Sequence, residues 1–117
     1  VVEGGRRPKR VASLIKATLG RILVREFQGT GSGLITVTRV EMTADLQNAR
    51  VFVSFFGNID PQEGLALLER RKGYLRRAIA SEVKLKYNPT LVFSADPATE
   101  YERRIDRLIE RLKDDAE

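Results

Sequence analysis

The chain contains neither cysteine nor histidine. Disulfide scaffolds, thiolate and imidazole metal sites, cysteine nucleophiles and Ser-His-Asp triads are excluded. Carboxylate, lysine, tyrosine and hydroxyl groups remain for any catalysis. The absence of cysteine also fits a reducing compartment. Glycine and proline are few, nine and four in 117 residues, which removes collagen-like and low-complexity classes. No apolar run approaches the ~18 residues of a membrane helix, and the longest, at 51–56, is broken by Ser54. The 42% of apolar residues, spread along a chain of ordinary single-domain length, suffice for one hydrophobic core.

The charge is present in blocks. The formal net charge is +5. Residues 1–28 carry seven Lys/Arg against two acids, a net of +5, and residues 61–90 carry seven against three, a net of +4. The stretch 29–60 between them is nearly neutral, and residues 91–117 hold five bases against eight acids. Segregated positive charge is the electrostatic footprint of a protein that meets a polyanion, most often RNA or DNA. A merely solvated, solubilising surface is the competing reading.

Hydrophobic spacing places the elements. Val11, Leu14, Ile15, Leu19, Ile22 and Leu23 form one apolar stripe at helical spacing over 7–27, with Pro8 in the first turn, where its missing N–H costs nothing. Residues 29–33, rich in glycine, make a connection. Residues 34–42 and 49–56 have β-pattern, the second with Ala49, Val51, Val53 and Phe55 on one face, and an antiparallel pair is expected. Asp60-Pro61-Gln62-Glu63 has the composition of a capped helix start. The helical pattern runs from there to about Val83 through Leu65, Leu68, Leu75 and Ile79, and Gly73 is expected to mark a break between two helices. Asn88-Pro89 stops that region, 91–93 makes a short third strand, and Asp96-Pro97 opens a last helix with Tyr101, Ile105, Leu108, Ile109 and Leu112 as its apolar face.

Two apparent sites fail on context. A phosphate loop leads from a strand into a helix, whereas 29–33 leads from a helix into a strand with no Gly-Lys-Ser/Thr after it. Glu102 and Asp106 alternate with arginines at the spacing of surface ion pairs, and Asp114, Asp115 and Glu117 crowd the chain's end. The block 70–86 differs, with seven cations and one acid, Glu82, around the glycine break. It offers phosphate-neutralising charge with close backbone approach. Tyr74 and Tyr87 have the chemistry to stack on bases, or to fill the core.

The element order, αββααβ and then a helix, is that of an α+β, type II KH-like domain with a three-stranded sheet. The residues extend the likeness. RRPKRVASLIK at 6–16, VTRVEMTADLQNARVFVS at 37–54, GYLR at 73–76 and LKYNPTLVF at 85–93, with Asp96, resemble, in the same order, the segments of the bacterial ribosome-binding factor A family. The resemblance runs from about Arg6 to Leu112. It implies a single domain over 1–117, with a core at about 6–95 and a C-terminal helix at about 97–113. It implies a non-catalytic assembly factor, active in the bacterial cytoplasm and in growth in the cold, that binds the small (30S) ribosomal subunit and its 16S rRNA during late maturation. No cofactor, metal or membrane is implied, and a monomer is expected. The family has an interhelical Ala-x-Gly kink in place of a GXXG loop; here the triplet is Arg71-Lys72-Gly73, which keeps the glycine and replaces the alanine. The RNA-binding residues expected first are Arg70, Arg71, Lys72, Arg76, Arg77, Lys84 and Lys86, followed by Arg6, Arg7, Lys9, Arg10 and Lys16. The acidic last helix is expected to pack away from them or to discourage non-specific binding. A generic KH-like RNA binder and a protein-interaction module that docks an acidic partner are the alternatives.

Overall fold

A computed structural model describes residues 2–27 and 33–116. The expected glycine-rich connection therefore lies outside the described residues except for Gly33. The elements follow the order α1 (Val2–Phe27), β1 (Gly33–Met42), β2 (Asn48–Gly57), α2 (Pro61–Arg70), α3 (Lys72–Glu82), β3 (Thr90–Ala95) and α4 (Pro97–Ala116). This is an α+β, KH-like arrangement. The sheet has the order β1-β2-β3, with β1 and β2 antiparallel and β2 and β3 parallel. A parallel neighbour cannot be reached by a tight turn; α2 and α3 form the crossover that returns the chain to β2.

Helix α1 starts five residues before the expected first turn, so Pro8 lies inside it and deprives the helix of one backbone hydrogen bond. Its buried arc consists of Val11, Ala12, Ile15, Thr18, Leu19, Ile22, Leu23 and Phe27. Leu14 does not belong to this arc. At about 100° per residue it falls beyond the edge and is 51% exposed. The arc packs on Ile35, Val37, Val40, Ala49, Val51, Val53 and Phe55 of the hairpin, with Leu68, Leu75, Ile79, Val83 and Leu91 completing one core. Each fully buried Leu or Ile contributes roughly 1.5–3 kcal/mol, so this cluster is the main source of stability.

Period-two alternation holds along β2: Ala49, Val51, Val53 and Phe55 are all buried on the helix side. Phe52 and Ser54 on the other side are buried as well. The register shifts between Val37 and Arg39, leaving Thr38 in a bulge. Thr38 Oγ1 uses that position to donate to Asp96 Oδ2 at 2.5 Å. Asp96 Oδ1 accepts from the Ala98 N–H at 2.9 Å, so one carboxylate both starts α4 and ties it to the hairpin. In the β1–β2 connection Leu46 has φ 63, and Thr43 and Asn48 close the turn through the Thr43 N–H to the Asn48 carbonyl at 3.0 Å.

The helix break falls at Arg71 (φ −97, ψ 7), two residues before the glycine expected to mark it. Gly73 belongs to the first turn of α3, and a Cβ placed there would meet nothing nearer than Arg77 at 3.5 Å. Asp60 caps α2, its carboxylate accepting from the Glu63 N–H at 3.3 Å, with Pro61 as the first helical residue. The last helix departs from expectation more strongly. Tyr101, Leu108 and Leu112 are 64%, 52% and 68% exposed, so its apolar face is not part of the core. Its polar residues Glu102, Asp106 and Glu110 instead flank a cleft with Phe56–Pro61.

Candidate nucleic-acid interface

The cations of 70–86 do not form one patch. Helices α1 and α3 lie antiparallel. The Tyr74 hydroxyl donates to Glu26, Arg21 and Arg25 approach Glu82 at 3.4 and 3.7 Å, and the residues after α3 meet the first turns of α1. The basic residues therefore gather at two ends of this helix pair. Measured along α1 from Arg10 to Phe27, the ends are about 25 Å apart at 1.5 Å per residue. Glu82 partly neutralises the span between them.

The first end surrounds the helix break. Arg70, Arg71 and Arg77 are exposed there. The Arg71 guanidinium lies over the Tyr74 ring at 4.9 Å and 5.7 Å from the Phe27 ring centroid. Where the resemblance expects alanine, the planar head of Arg71 thus lies over two aromatic rings and stays at the surface. Lys72 is paired with Glu69. Arg76 has another task. Its Nε donates to the Pro89 carbonyl at 3.0 Å and an Nη to the Asn88 carbonyl at 2.9 Å, so it braces the loop entering β3.

The second end is a groove of about 670 Å³. Arg7 and Arg10 enter it from α1, Lys84 and Lys86 from the segment after α3, and the β1–β2 connection closes it with Ala44, Asp45 and Leu46. Two basic blocks more than seventy residues apart in sequence thus line one groove. Val11, Leu14 and Leu85 supply an apolar part of the lining, and Tyr87 joins it with 52% exposure. The two tyrosines are thereby told apart: Tyr74 is half-buried and bonded to Glu26, which raises its pKa, whereas Tyr87 presents its ring. Lys86 Nζ lies 5.5 Å from that ring's centroid. Asp45 is the one acid of the groove lining. Its Oδ1 accepts from Thr43 Oγ1 at 2.6 Å and from the Gln47 N–H at 3.1 Å; the Thr43 bond first, and then the backbone bond, hold its pKa below the usual carboxylate value.

The remaining candidates lie elsewhere. Lys9 and Lys16 line a shallow depression between α1 and β1 together with Thr38 and Arg39. Arg39 was not singled out from the sequence, because it lies in the nearly neutral middle of the chain. Its guanidinium covers the Phe52 ring at 4.2 Å and pairs with Glu41 at 3.2 Å. The side chain of Arg6 is outside the described residues. Among the described residues no group of His, Cys, Asp and Glu is arranged to hold a metal ion, and no helix is long and apolar enough to cross a membrane.

The family model for ribosome-binding factor A matches residues 7–109. The ribosome-binding factor A of Halothermothrix orenii is 36% identical over 112 residues, covering 95% of this chain and 92% of the relative. That of Bdellovibrio bacteriovorus is 39% identical over 110 residues, covering 93% and 82%. Among solved structures, ribosome-binding factor A from Thermus thermophilus superposes with a TM-score of 0.64 at 20% identity, over 75% of this chain and 94% of that one, a likeness of fold. A putative ribosome-binding factor A of Thermotoga maritima gives a TM-score of 0.62 at 28% identity, over 75% and 85%. A Thermus thermophilus ribosome-binding factor A homology model, fitted into a map of its 30S complex, gives 0.57 at 28% identity, over 73% and 94%. With the motifs, the fold and the homologues in agreement over nearly its whole length, the chain belongs to the ribosome-binding factor A family.

Proposed function

We propose that the protein is a non-catalytic assembly factor that binds the small ribosomal subunit and its 16S rRNA during late maturation, in the bacterial cytoplasm and without a cofactor. The chain acts as one KH-like domain, core at about 6–95, with α4 appended. The observation that carries this reading is the meeting of Arg7 and Arg10 with Lys84 and Lys86 in the lining of one groove, a concentration of cations suited to an RNA backbone. A relative in the same family has been fitted into a 30S complex, which favours a ribosomal target over a generic RNA or an acidic protein. Arg70, Arg71 and Arg77 at the helix break supply a second set of phosphate contacts, and Lys72, Lys9, Lys16 and Arg6 supplement the two. Arg76 acts by holding the 88–89 loop in place.

Co-sedimentation with ribosomal particles tests the proposal. The protein is expected on free 30S subunits and depleted from complete ribosomes. Replacing Arg7, Arg10, Lys84 and Lys86 by Ala in a folded protein is expected to release it and to flatten the salt dependence by roughly 0.7–0.9 log units per lost phosphate contact. Absence from every ribosomal fraction at low salt would overturn the reading.

A further inference from the structure

The four cations are suited to phosphate, but they leave the apolar part of the groove lining unexplained. Leu14 and Tyr87 are both about half exposed there, beside Val11, Leu46 and Leu85. A duplex offers such a surface its phosphates, its sugars and the base edges of its shallow minor groove, but no free base face, since its bases are stacked and paired. An unpaired nucleotide has a free planar face that an aromatic ring and aliphatic side chains can take out of water. The volume, about 670 Å³, is within the usual range of about 300–1,000 Å³ for clefts that enclose small ligands.

We propose that the groove between α1, the β1–β2 connection and residues 84–87 is a single-strand RNA site, in which Tyr87 stacks on an unpaired base while Arg7, Arg10, Lys84 and Lys86 hold the flanking phosphates. The proposal rests on the RNA-binding reading above and adds its ligand class and its base-contacting residue. Lys86 Nζ lies over the Tyr87 ring, 5.5 Å from its centroid, which sets positive charge close to a base stacked on that ring. Asp45, the one acid of the lining, repels phosphate, so the backbone follows the arginines and lysines. The amino groups of a base then have a carboxylate acceptor within the groove, held in place by Thr43 and Gln47.

The test compares a 10-nucleotide unpaired RNA with a blunt-ended 10-base-pair RNA duplex, by fluorescence anisotropy over a series of salt concentrations, together with binding to 30S subunits. The wild-type protein is expected to prefer the unpaired RNA. Tyr87→Ala is expected to weaken that complex by about 5- to 150-fold, to leave duplex binding and the salt slope unchanged, and Tyr87→Phe to restore binding. Equal losses on both RNAs, or no loss, overturn the proposal. If the oligonucleotides do not bind but 30S subunits do, 30S affinity becomes the readout, and an unchanged value for Tyr87→Ala overturns the proposal while the assembly-factor reading stands. If the wild-type protein binds neither, the assembly-factor reading itself fails.

Discussion

Gly64 and Gly73 should respond in opposite directions to the same substitution. Alanine in a helix is favoured over glycine by about 1 kcal/mol in the interior, and by about 0.4–1 kcal/mol through the unfolded chain alone where the native geometry accepts it. At Gly73 a Cβ meets only the end of the flexible Arg77 side chain at 3.5 Å, ordinary contact. Gly73→Ala is therefore expected to stabilise the protein by about 0.5 kcal/mol. Gly64 is buried under the sheet, and a Cβ there would stand 2.6 Å from Phe55 Cδ1 and closer still to Cε1. The Phe55 ring is 1% exposed and cannot swing away, so the overlap must be relieved by moving α2 from the sheet. Overpacking of this kind costs about 1–3 kcal/mol; after the gain in helix propensity, Gly64→Ala is expected to destabilise by about 1–2 kcal/mol. Urea unfolding followed by far-ultraviolet circular dichroism reads both changes in the midpoint at constant slope. A double-mutant cycle with Phe55→Leu isolates the cause, because the smaller side chain vacates the space. The double variant should be less destabilised than the sum of the two by at least about 0.5 kcal/mol. Additivity, or a loss at Gly73 as large as that at Gly64, would refute the assignment of the tight approach to Gly64 and of the break to Arg71.

Arg76→Ala should lower stability by about 1–2 kcal/mol by removing two charge-assisted bonds to the Asn88 and Pro89 carbonyls; chemical denaturation checks this, and a variant as stable as wild type would return Arg76 to the RNA-contacting set. Asp60→Ala should cost about 1 kcal/mol through loss of the α2 cap, visible as faster amide exchange at Gln62 and Glu63 than elsewhere in the helix. The depressed pKa of Asp45 means that its ionised form favours the folded state. That contribution is present above the ordinary carboxylate pKa and is lost as the pH falls through the lower folded value. Thr43→Val removes the largest cause and should move the Asp45 titration, followed by carboxyl NMR, up towards 3.8.

What the amino-acid order determined by itself was local. Apolar spacing placed all seven elements, Asp60-Pro61 marked the start of α2, and alternation in 49–55 identified the buried face of β2, because each depends on neighbours within a few residues. The order of those elements carried the KH-like topology, and the four motifs in order carried the family. The location of the break was less legible: glycine's low helix propensity drew attention to Gly73, yet the chain turns at Arg71, whose guanidinium is held by Tyr74 and Phe27 from another helix. The division of labour among the cations depended on tertiary structure. Sequence treats 70–86 as one basic block, but antiparallel packing of α1 on α3 sends Arg70, Arg71 and Arg77 to one end and Lys84 and Lys86 to the other, with Arg76 turned to the 88–89 carbonyls. The same packing brings Arg7 and Arg10 to Lys84 and Lys86 across more than seventy residues, while Leu14 at the margin of its helical stripe and the apolar side of α4 stay exposed. Charge and hydrophobicity are properties of residues, and sequence reports them. A binding groove is a property of distances between residues remote in the chain, and only the folded core sets those distances.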